Sequence, residues 1–105
     1  MCRIVEMMSE RPAKIFGLYP RKGKLEVGSD ADVVIFDIMK EQLVDATTQH
    51  VNTDYTMYEG RSVLGVPEVV IQRGEILLED GELRAKSGRA EFLPAKPDFL
   101  RLAFV

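Results

Sequence analysis

One cysteine, one histidine and no long apolar run set the first limits on this 105-residue chain. Cys2 has no partner for an internal disulfide, a usage that fits a reducing cytoplasm. His50 stands alone, whereas a catalytic zinc site takes two or three histidines, or histidine with cysteine or carboxylates. No apolar stretch approaches the roughly 20 residues of a membrane span. The N-terminal Met1-Cys2-Arg3-Ile4 lacks the apolar core and small-residue cleavage site of a secretory signal. With 14 Lys+Arg against 17 Asp+Glu and a net charge of -3, there is no basic block to bind nucleic acid. Internal repeats and low-complexity segments are also missing. What is present is an ordinary globular composition, 46% hydrophobic, at a length that suits one domain at most.

Residues 1–18 read as a helical lead-in. Ile4, Val5 and Met8 share one face over two turns. Pro12 breaks that helix and opens a second as its first residue, and Gly17 stands where a left-handed cap is wanted. Residues 19–87 read as strands and turns. Pro20 and Gly23 bracket a turn, Lys24-Leu25-Glu26-Val27 alternates, and Gly28-Ser29-Asp30 is a turn cluster. Asp32-Val33-Val34-Ile35-Phe36-Asp37 is apolar on both faces and predicts a central, buried strand. A further short strand is expected around Leu43 and Val44. A long polar loop covers 47–65, of the kind that is functional or packed against a partner. Val69-Val70-Ile71-Gln72 then leads through Arg73-Gly74 to Ile76-Leu77-Leu78, and Asp80-Gly81 precedes Leu83 as a tight turn. Residues 88–105 form an apolar tail, including Phe92-Leu93-Pro94, Phe99-Leu100 and Leu102-Ala103-Phe104-Val105, expected to lie on another surface. The sum is an α+β, mainly β chain of about five short strands with β-sandwich character.

Few residues invite a chemical role. Asp30-Ala31-Asp32 presents alternate carboxylates, which suit a hard cation, but no third acidic ligand or calcium-loop pattern follows. They read as a turn acid and a strand-leading acid. His50 reads as a hydrogen-bonded structural histidine of the long loop, and Cys2 as an incidental thiol without an orienting base. Lys22-Gly23-Lys24 has too few glycines for a phosphate loop and reads as a solvated turn. Tyr55, Tyr58 and Phe92 read as packing. No catalytic, cofactor-binding or metal-binding residue is assigned.

Two ordered stretches, Pro12-Ala13-Lys14-Ile15-Phe16-Gly17-Leu18-Tyr19-Pro20-Arg21-Lys22-Gly23 and Val27-Gly28-Ser29-Asp30-Ala31-Asp32-Val33-Val34-Ile35-Phe36-Asp37, resemble the C-terminal region of cyclic amidohydrolases. The segments His50-Val51-Asn52-Thr53-Asp54-Tyr55, Tyr58-Glu59-Gly60, Arg73-Gly74-Glu75-Ile76, Glu79-Asp80-Gly81, Gly88-Arg89 and Phe92-Leu93-Pro94 narrow this to the hydantoinase and dihydropyrimidinase branch. Arg11 stands where that family often has Asn, and Gln49 where it often has a second His.

The resemblance implies a parent several times longer, in which a (β/α)8 barrel carries binuclear zinc bridged by a carboxylated lysine and opens hydantoin or dihydropyrimidine rings. It places this chain at the last barrel helix, the C-terminal part of a composite β-sandwich and the tail beyond it. The family's metal ligands and catalytic aspartate have no counterpart here, so the chain alone is expected to be inactive and to hold no cofactor. Its expected partners are the barrel of the same parent or a second copy of itself, in a homo-oligomer, with neither nucleic acid nor membrane. Uncovered strand edges and an uncovered apolar face imply self-association of the isolated chain, or partial disorder of its N-terminal helix and C-terminal tail. The alternative is a non-catalytic assembly module like the collapsin response mediator proteins, whose ends Lys96-Pro97-Asp98-Phe99 resembles as well as those of animal dihydropyrimidinases.

Overall fold

The chain opens as α1 (Cys2–Val5), passes through one wide turn of π-helix at Glu6–Glu10 and continues as α2 (Arg11–Ile15). The break expected at Pro12 is thus absorbed without leaving helical geometry. Pro12 has no N–H, and its ring would press on the carbonyl four residues earlier in a regular helix. The wide turn moves the register on by one residue, and the Arg11 N–H reaches back to the Glu6 carbonyl. Glu6 is flanked by Arg3 and Arg11, each 2.8 Å away, and Lys14 pairs with Glu10 at 2.5 Å. Hydrogen bonding from Arg3 lowers the Glu6 pKa most, partial burial opposes it, and Arg11 adds to the lowering. The helix ends as the sequence predicts. Gly17 takes φ 67°, its N–H donates to Lys14 O, and the Leu18 N–H reaches Ala13 O at 2.8 Å.

This computed structural model describes residues 1–96, which fall into two units. The expected apolar tail at Phe99-Leu100 and 102–105 lies outside the described residues. The first unit holds, among the described residues, 1–32, 72–74 and 86–96. Within it, residues 20–30 form a closed loop rather than the strand expected at 24–27. Its neck is tied by Asp30 N–H to Arg21 O (2.9 Å) and by the Ser29 hydroxyl to Pro20 O (2.8 Å). A four-residue alternation is too short to impose a strand when no ladder partner adjoins it, and Leu25 and Val27 point into solvent. The loop folds onto the helix at Gly23. A Cβ there would stand 2.5 Å from Ala13 Cβ and 3.0 Å from the Ser9 carbonyl oxygen. Ala13, 6% exposed, is the one buried side chain among the described residues.

The second unit holds 33–71 and 75–85. Its sheet runs β1 (Val33–Leu43), β2 (Ser62–Gln72), β3 (Glu75–Glu79) and β4 (Glu82–Leu83) in that spatial order. Two of the expected features hold closely: Arg73-Gly74 and Asp80-Gly81 each turn with positive φ at both residues, 50° then 80°, as tight hairpins require. Others are corrected. The separate strand around Leu43 is the far end of β1, so the described residues carry four strands in a single sheet. β1 is an edge strand, and Val34, Ile35 and Phe36 are exposed. Its apolar pattern on both faces records a need for cover that β2 alone does not meet.

β1 and β2 pair antiparallel from Val33↔Ile71 through Ile35↔Val69, and then the register slips to Phe36↔Pro67. The extra residue leaves Pro67, which cannot donate to a ladder, at an irregularity where that is tolerated. A second slip lies between Asp37 and Glu41, where Asp37 Oδ1 accepts the Met39 N–H. Beyond the strand, the loop expected at 47–65 spans 44–61 and is closed at its neck by Val44 N–H to Arg61 O and Gly60 N–H to Val44 O. Asp45 accepts both the N–H and the hydroxyl of Thr47. The Thr47 hydroxyl bond is the larger cause, followed by the backbone bond, of a lowered Asp45 pKa. Tyr55, Tyr58 and Phe92 are exposed and do not form the packing group expected of them.

Gly23→Ala is expected to destabilise the chain by roughly 1–3 kcal/mol more than Gly28→Ala, because both strain a positive φ but only Gly23 faces neighbouring atoms. Chemical denaturation of the two variants checks this. Equal losses would mean that the loop does not rest on Ala13.

Candidate functional site

The densest meeting of charged side chains lies in the first unit, where the loop after the helix returns to residues 30–32. Arg21 Nε lies 3.1 Å from each oxygen of Asp30. Lys22 Nζ lies 2.8 Å from Asp30 Oδ2 and also hydrogen-bonds Asp32 Oδ2. The other Asp32 oxygen, Oδ1, accepts the Arg73 N–H at 2.9 Å, while the Gly74 N–H donates to Ala31 O at 3.0 Å. Arg73 then reaches Glu91 at 2.8 Å and the Arg89 carbonyl. A surface cavity of about 180 Å³ opens among Lys22, Asp30, Arg73, Arg89, Glu91 and Leu93.

The side chains of Lys22 and Asp30 are only 20% and 17% exposed, so water shields their attraction incompletely. For Asp30, the Lys22 hydrogen bond is the main cause of a lowered pKa; partial burial opposes it and Arg21 reinforces it. For Lys22, burial disfavours the ammonium, but the bonds and charges of Asp30 and Asp32 outweigh it and raise the pKa.

This arrangement explains the alternate carboxylates. The cation they would attract is supplied by the chain itself, as the Lys22 ammonium between them. Asp30 is the expected turn acid and Asp32 leads directly into β1. Lys22-Gly23-Lys24, expected to be a solvated turn, contributes its first lysine to the junction, while Lys24 pairs with Glu26. Arg21, Arg73 and Glu91 were not legible as members. Asp32 and Arg73 stand 41 residues apart, and no local pattern links them.

The other candidates lie elsewhere. His50, in the second unit, places Nε2 3.0 Å from Gly81 O. A carbonyl only accepts, so Nε2 carries the proton and the ring fastens the long loop to the β3–β4 turn, the structural role expected of it. Cys2 is exposed. Among the described residues, no three His, Cys, Asp or Glu groups come together as a metal-binding cluster. The donors among the described residues do not fit binuclear zinc: His50 Nε2 faces a carbonyl, and Asp30 and Asp32 are neutralised by Lys22 and Arg21. What the junction can do chemically is hold three stretches of chain together.

Stability follows from the two pKa directions. The lowered Asp30 pKa contributes stability that is full above about 4, the unfolded value, and is lost as pH falls through the folded value. The raised Lys22 pKa contributes stability that is full below about 10.4 and is lost as pH rises through its folded value. In Lys22→Met, the Asp30 carboxyl followed by NMR titration is expected to move back up toward the ordinary range. An unchanged Asp30 titration would show that Lys22 does not hold that charge.

The amidohydrolase family matches residues 2–77. The chain is 40% identical to D-hydantoinase of Ralstonia pickettii over 93 residues, covering 89% of this chain and 20% of that protein. It is 43% identical to dihydropyrimidinase 2 of Caenorhabditis briggsae over 96 residues, covering 91% of this chain and 18% of that protein. Among solved structures, a D-hydantoinase superposes with a TM-score of 0.85 at 40% identity, covering 89% of this chain and 20% of that one. D-Hydantoinase (dihydropyrimidinase) from Thermus sp. gives 0.84 at 42% identity, covering 90% and 21%. The chain thus spans about a fifth of the length of the relatives it matches. The family match over most of the chain, together with its likeness in sequence and fold to hydantoinases and dihydropyrimidinases, places this chain in the amidohydrolase family.

Proposed function

We propose that this chain is the C-terminal structural portion of a zinc-dependent cyclic amidase of the hydantoinase/dihydropyrimidinase type, an enzyme that hydrolyses the C–N bond of a cyclic amide. Its own work is to cover the barrel, to complete a β-sandwich whose other strands come from elsewhere in the parent, and to contribute to contacts in a cytoplasmic homo-oligomer. The observation that carries this reading is a mismatch between likeness and burial. Nearly all of the chain resembles the family, yet it spans a fifth of the relatives' length and buries a single side chain among the described residues.

Chemistry supports the division of labour. Activating water on a metal needs several ligands converging around an open coordination position. His50 and the paired aspartates are committed to other bonds, so the ligands and the hydroxide belong to the barrel. No described helix is long and apolar enough to cross a membrane.

The purified chain, given hydantoin or dihydrouracil with added zinc, is expected to open neither ring above the buffer rate. Zinc-dependent turnover by the chain alone would overturn the proposal. Reading the frame upstream of Met1 separates the two kinds of parent. Metal ligands including a His-x-His pair mark a cyclic amidase. A barrel without them marks a non-catalytic assembly protein, and the enzymatic reading fails.

A further inference from the structure

Arg73 occupies a position that does not favour it. It is the first residue of a two-residue hairpin turn and takes φ 50°, in the left-handed region where Asn, Asp and Gly are preferred. At that position the Arg73 guanidinium makes bonds that a smaller turn residue could not. The backbone N–H is fixed on Asp32 Oδ1, and Gly74 N–H on Ala31 O, so the turn is seated on residues 31–32. From that seat one guanidinium nitrogen pairs with Glu91 at 2.8 Å and the other donates to the Arg89 carbonyl. Arg89 in turn donates to Gln72 O.

The stretch receiving these bonds, residues 86–96, has no helix or strand of its own. Among the described residues its backbone is also tied by Lys96 N–H to Gly17 O at 2.9 Å. No side chain in it is fully buried, and Phe92 is 92% exposed. Apolar burial therefore contributes little to its attachment, and charge-assisted hydrogen bonds contribute most.

We propose that Arg73 is a latch and residues 86–96 a strap. Closed, the strap forms one wall of the cavity above Lys22 and Asp30 and is tied at Lys96, from which residues 97–105 continue. Because the latch is an ion pair to a largely exposed Glu91 and a charge-assisted hydrogen bond to the Arg89 carbonyl, it releases by screening or by loss of the guanidinium, without melting the sheet of the second unit.

Arg73→Asn separates the two roles of the residue, since Asn suits the left-handed turn but cannot reach Glu91 and Arg89. In the full chain, tryptic cleavage after Arg89, read by mass spectrometry, is expected to quicken by about tenfold, as cleavage follows the open population. Amide exchange at 66–71 and 76–79 should stay as slow as in the unaltered chain. Salt at 1 M should quicken the same cleavage in the unaltered chain by screening the latch. Unchanged cleavage in Arg73→Asn, cleavage indifferent to salt, or loss of protection in β2 and β3 would each overturn the proposal, the last by showing that Arg73 serves the hairpin instead.

Discussion

Apolar surface withdrawn from water is the main source of folding stability, about 25 cal/mol per Å², and this chain withdraws very little by itself. Ala13 is buried where Gly23 lets the loop close on the helix, while Ile4, Val5, Met7 and Met8 of the helix and Val34, Ile35 and Phe36 of β1 remain open to solvent. A sheet with apolar residues on both faces is stable when something lies on both. Much else in the molecule is arranged around that need. The sheet carries its hydrophobic run on its edge strand, and the helix is apolar on more than one side.

What the chain does hold together by itself, it holds with charge and turn geometry. In the first unit, Lys22 satisfies two aspartates, Asp32 seats the hairpin turn, and Arg73 extends from that turn to residues 89 and 91. In the second, His50 fastens a long loop to the β3–β4 turn, and Gly65, at φ 100°, makes room for the Phe36 ring. These are directional interactions that set where segments lie. Individually they stabilise modestly compared with a packed core. They specify the shape of a chain that buries little apolar surface by itself.

The sequence was most legible where a local pattern has one physical solution. Gly17 closes a helix, and Arg73-Gly74 and Asp80-Gly81 mark hairpins, because few residues tolerate the positive φ those places require. Pro12 was legible as a disturbance but not as one resolved by a π turn, which depends on the Arg11 N–H finding Glu6 O. The run at 32–37 predicts a buried strand; the strand forms, but burial depends on neighbours that hydrophobicity cannot supply. The charged junction was illegible for a different reason. Its members come from residues 21–32, 73 and 89–91, and only the fold brings them together. The family, by contrast, was legible from ordered motifs along nearly the whole chain.

The central claim is that these apolar faces require cover from outside the chain. Sedimentation velocity on the purified 105-residue chain over a wide concentration range tests it most directly. The account predicts species heavier than the 11.8 kDa of one chain, increasing with concentration. A single 11.8 kDa monomer at every concentration, melting in one cooperative transition, would contradict it.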